Sequence, residues 1–168
     1  MPAGATYEPI ATSSPSGTTT VTFSSLGSYT DIIIVAFAKN DTTGGQLLMR
    51  YNADATGPYT RTLLTGDGST AASSRTTSGT AISASLGNSM PTTTDLFNLA
   101  KIHIFSYGGS TNKTTLIEYS NDRNGSGTVG RGVFLWPSTS AITSIELFTN
   151  GGNFTSGTRF TLYGIKAA

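Results

Sequence analysis

Apolar side chains recur at every second position through much of this 168-residue chain, and Gly, Asn, Asp and Ser interrupt them about every ten residues. That pattern predicts short strands, each with one face in a core and one in water. The last is the cleanest. In Thr158-Arg-Phe-Thr-Leu-Tyr-Gly-Ile165, Phe160 and Leu162 share one face and Arg159, Thr161 and Tyr163 the other. Val21, Phe23 and Leu26 mark an early strand, opposed by Thr20, Thr22 and Ser24. The run Asp31-Ile-Ile-Ile-Val-Ala-Phe-Ala38 is apolar on both faces, so it predicts a central strand covered on both sides or buried against a partner subunit. Further strands are expected at 46–51, 59–64, 82–86, 96–107, 113–120 and 129–136, and around Ile142, Ile145, Leu147 and Phe148. Thr94 or Asp95 could cap a single helical turn ahead of the 96–107 strand. Residues 1–18 read as an extended N-terminal segment, and 66–81, with almost nothing to bury, as a long exposed loop or edge hairpin. About nine or ten strands at this spacing predict one all-β domain over residues 1–168, a jelly-roll-like antiparallel β-sandwich.

Composition narrows the function more than the fold. Thirty threonines and 21 serines suit strands, where the branched threonine Cβ packs on the pleat and its hydroxyl stays wet. One histidine, no cysteine and nine scattered acids leave little for acid–base, nucleophilic or metal chemistry, which needs titratable groups converging on one pocket. A net charge of +1, with bases dispersed from Lys39 to Lys166, gives no stripe for nucleic acid. The longest apolar stretch, 32–38, is too short to cross a bilayer, and the first residues lack a secretory pattern. Absence of cysteine fits folding in a reducing cytoplasm.

The individual candidates have plain structural alternatives. His103, between Ile102 and Ile104, is expected to face solvent or pack on a neighbour. Asp67 and Asp122 carry oxygens of the kind calcium takes, but without EF-hand spacing, and Asp or Asn beside Gly forms turns. Tyr51, Tyr59, Tyr107, Tyr119 and Trp136 could stack on sugar rings. Trp136, however, follows Val133-Phe-Leu at a strand end, where an indole closes a core edge. Glu8, Glu118 and Glu146 are the only glutamates, and no spacing pairs two of them for glycoside hydrolysis.

Five segments carry a family likeness: Thr6-Tyr-Glu-Pro-Ile-Ala-Thr12, Val21-Thr-Phe-Ser-Ser25, Leu64-Thr-Gly-Asp-Gly-Ser-Thr70, Leu135-Trp-Pro-Ser-Thr-Ser-Ala-Ile142, and Phe160-Thr-Leu-Tyr-Gly-Ile-Lys166 after Gly151-Gly-Asn-Phe-Thr-Ser-Gly157. In this order they resemble small structural proteins of tailed bacteriophages, a group of head decoration (cement) proteins and tail or fibre components. The resemblance implies a virion β-sandwich and offers no catalytic residues to carry over; metal and cofactor are not expected from the residues themselves. The expected role is a cement protein on the capsid surface that binds the major capsid protein and stabilises the assembled head. The expected homo-oligomer is a trimer, motivated by the doubly apolar 31–38 run and the local three-fold points of an icosahedral shell. The alternative is a tail-fibre or receptor-binding domain that recognises a host surface glycan. Assembly contacts are expected from segments 3–11 and 66–81, with Tyr7, Glu8, Pro9, Ile10, Asp67 and Ser69 foremost; nucleic acid and membrane are not expected partners.

Overall fold

A computed structural model describes residues 6–56, 59–93 and 95–166. Its described residues form twelve strands and no helix. In chain order they are β1 (Tyr7–Ser13), β2 (Thr20–Ser24), β3 (Asp31–Ala38), β4 (Leu47–Tyr51), β5 (Thr60–Gly66) and β6 (Ala71–Thr76). There follow β7 (Ile82–Ser83), β8 (Asn98–Ile104), β9 (Lys113–Asp122), β10 (Gly127–Trp136), β11 (Ser144–Thr149) and β12 (Arg159–Ile165). One sheet has eight strands in the order β1-β12-β3-β8-β9-β10-β5-β6, and the other has four in the order β2-β11-β4-β7. All pairings are antiparallel. The all-β sandwich read from the period-2 pattern is the observed class. Its division into eight and four strands is more unequal than the two four-stranded Greek keys of a jelly roll.

The core lies where the alternating faces of the two sheets meet. Ile32 and Ile34 of β3, Ile102 and Ile104 of β8, Ile117 of β9 and Phe160 and Leu162 of β12 are fully buried from the large sheet. Met49, Tyr51, Ile145 and Leu147 meet them from the small one, and Phe23 joins the same cluster. Leu86 also enters it. Its backbone turns with φ 51°, and its side chain lies over Gly130 and Gly132, where an added Cβ would stand 2.9 and 2.8 Å from it.

Of the two readings of 66–81, the edge hairpin is the one observed: after a turn at 67–70 the chain forms β6 and becomes an edge of the large sheet. Three other segments differ from the sequence expectation. The N-terminal segment is already paired from Tyr7 onward, β1 bonding to β12 through a bulge between Pro9 and Ala11. Only Ile82–Ser83 of the 82–86 region is strand, because the chain then turns to place Leu86. Asp95 starts no helix, and Thr94 lies outside the described residues.

Candidate interaction surface

The doubly apolar 31–38 run proves to serve two surfaces. Its even-numbered residues enter the core, whereas Ile33, Val35 and Phe37 point to the outer face of the large sheet. The small sheet packs on the inner face only, and this outer face remains largely open. Strand register aligns its side chains in rows. One row runs Arg159, Phe37, Leu99, Ser120, Val129, Gly66, Ala71, with its one charge at the β12 end. The adjacent row runs Val35, Lys101, Glu118, Arg131, Leu64, Ser73. Between them lies a depression of about 770 Å³. Val129 is 64% exposed, Leu64 60%, Val133 47% and Leu99 40%.

Glu118 bridges two of the bases on this face, while Arg75 on β6 and Arg159 on β12 stand on the same face without an acidic partner among the described residues. Glu118 lies 3.7 Å from Lys101 Nζ and 3.0 Å from Arg131 Nη2, directly across the two neighbouring strands. The Arg159 guanidinium sits 5.2 Å from the centre of the Phe37 ring. Exposed pairs of this kind contribute little to stability. They do, however, tie the one glutamate beside the Phe37–Ala71 row to its own neighbours. A contiguous exposed apolar surface of this kind marks an interaction site more often than a random one.

The two edges of the large sheet differ. β1 carries Pro9 and a bulge, and its Glu8 is bonded to Lys166, devices that disfavour further strand pairing. β6 has neither proline nor bulge, is exposed along nearly its whole length, and has Arg75 as its one charge.

The residues expected to make assembly contacts fall at these opposite edges, about 34 Å apart at ~4.8 Å per strand. Tyr7 is 57% exposed and Pro9 is exposed, while Ile10 packs against the core. Glu8 is bonded within the chain. Lys166 Nζ donates to it at 2.8 Å and the Tyr29 hydroxyl at 3.3 Å, and the lysine bond holds its carboxyl below the usual range. Asp67 closes its own turn. Its Oδ1 accepts from the Ser69 N–H and Oγ at 2.9 Å and from the Thr70 N–H at 2.7 Å, which lowers its pKa. Residues 3–5 of the expected contact segment lie outside the described residues.

The other candidates have structural positions. His103 Nε2 lies 3.0 Å from Asp31 Oδ2, with its ring stacked on Phe105 at 3.9 Å. The five aromatics considered for sugar stacking are all buried, so none offers a free ring face. Trp136 Nε1 donates to Asp54 Oδ2 at 2.8 Å, the Tyr107 hydroxyl donates to Gly27 O at 2.7 Å, and Tyr51 shares a hydrogen bond with Thr115. Burial pushes the Tyr59 and Tyr119 phenols up to about 12. Asp67 and Asp122 line one loop cleft, but among the described residues no three acidic, histidine or cysteine side chains cluster as metal ligands. Glu8, Glu118 and Glu146 each face a different base, Glu146 lying 3.8 Å from Arg50.

Leu64, Leu99, Val129 and Val133 were not picked out from sequence as interface residues. Their signal was parity. Each is a large aliphatic residue on the face opposite its strand's core positions, as Val129 and Val133 are to Phe134 and Trp136.

No protein-family model, curated protein or solved structure matches the chain.

Proposed function

We propose that the chain is a non-enzymatic virion structural protein of a tailed bacteriophage, a decoration protein that sets the open face of its large sheet against the major capsid protein. One observation carries this reading: Leu64, Leu99, Val129 and Val133 stand exposed on a face whose glutamate is already bonded to its neighbours. Such a surface suits a broad apolar contact. The three glutamates, each facing its own base, do not converge on a substrate. The likeness of the five segments to phage structural proteins supplies the biological setting, the capsid surface.

A protein that binds the assembled shell but not free subunits must stabilise the shell by mass action. With a net charge of +1 and apolar contacts, that binding should persist through moderate salt, where a charge-driven clamp would weaken. Copy number in purified virions tests the assignment. Copies in fixed proportion to the capsid protein are expected. Only a few copies per particle would transfer the protein to the tail and to the glycan-recognition alternative.

A further inference from the structure

We infer that β6 is a pairing edge for a second copy of this chain, joined antiparallel about a two-fold axis at Ser73. The inference is independent of the virion reading. Within the hairpin, the Asp67 N–H bonds to Thr70 O, and β6 pairs with β5 from Gly66↔Ala71 to Arg61↔Thr76. Antiparallel ladders alternate hydrogen-bonded with non-bonded pairs. The residues opposite Thr65, Leu63 and Arg61 therefore turn their N–H and C=O towards β5. Ala71, Ser73 and Arg75 turn theirs to the free edge, and no hydrogen bond among the described residues reaches them there.

A two-fold perpendicular to a sheet keeps each side chain on its face, so paired residues must share parity and one residue must oppose itself. Centring on Ser73 sets Ser73 against Ser73 of the second copy and Ala71 against its Arg75. All three outward residues then bond, giving about six backbone hydrogen bonds. No like charges oppose each other, because the strand's one cation faces alanine. The small side chains of Ala71, Ala72, Ser73 and Ser74 let the edges approach.

Edge pairing into a ring through the large sheet alone would instead join β6 to β1 of the next copy. There Pro9 has no N–H to give and the bulge breaks the ladder. Isologous pairing is the arrangement the two edges permit, so a three-fold assembly would need a different surface. An edge of six residues covers much less than the roughly 800 Å² per partner of a standard interface. The dimer is therefore reversible and concentration-dependent.

Sedimentation of the full chain from micromolar towards millimolar concentration tests this, with two variants. Ser73→Pro removes an outward N–H at a site where an edge strand tolerates proline. Ser73→Lys sets a charge directly against its own copy. The wild type should pass from monomer to dimer, and both variants should stay monomeric with unchanged circular dichroism. A wild type that stays monomeric, one that forms trimers, or a dimer kept by both variants would overturn the inference.

Discussion

Phe160 is fully buried and meets Phe154 edge-to-face, their centroids 5.3 Å apart. Its replacement by alanine should cost about 3–5 kcal/mol in chemical denaturation, the range for a buried aromatic; a loss under about 1 kcal/mol would mean that β12 does not anchor the core. Gly132 tests the opposite error. A Cβ there would stand 2.7 Å from Leu63 and 2.8 Å from Leu86, so Gly132→Ala should destabilise by about 1–3 kcal/mol through overpacking. Three carboxyls set the acid response. Glu8 is held low by Lys166, Asp41 by the Asn153 N–H and Asp67 by the Ser69 N–H. A carboxylate whose folded pKa is depressed stabilises above its unfolded value, and that contribution fades as pH falls through the folded one. The denaturation midpoint should hold from neutral pH down to the ordinary values of 3.8 and 4.5 and decline below them. A midpoint that rose on acidification would contradict these pairings.

Strands inside the sandwich were legible because burying one face imposes period 2, as Phe160 and Leu162 illustrate. The edge strands were less so. β6 buries almost nothing, so its Ala-Ala-Ser-Ser-Arg-Thr sequence left a loop and an edge hairpin equally open, and in β1 the bulge between Pro9 and Ala11 interrupts the alternation. The interaction face was half legible. Ile32–Ala38 announced two apolar surfaces, but sequence could not reveal that the second sheet takes the inner one and that the outer one is left without a covering layer among the described residues. Leu63 and Leu64 show the same difficulty at a single step: adjacent leucines, one in the core and one 60% exposed, identical in hydropathy and separated only by the register of β5. Amide hydrogen exchange should display this hierarchy. The central β3, β8 and β9 should protect most strongly, and Ala71, Ser73 and Arg75 of the monomer should exchange fastest among strand amides. Strong protection of all of β6 in the dilute monomer would mean that its edge is not free.

At the scale of the whole molecule, the eight-stranded sheet keeps one face in the core and turns the other outward, with Leu64, Leu99, Val129 and Val133 exposed on it. Leu64→Asp and Val129→Asp should leave the fold within about 0.5 kcal/mol, as surface substitutions do, while introducing unpaired charge into the contact. The most direct measurement is the temperature at which phage particles release DNA, compared among particles lacking this protein, particles restored with the wild type, and particles restored with the Leu64→Asp/Val129→Asp double variant. Absence should lower the release temperature, the wild type should restore it, and the double variant should fail to bind and to restore it. Particles equally robust without the protein, or restored as well by the double variant, would contradict a decoration protein that docks through this face.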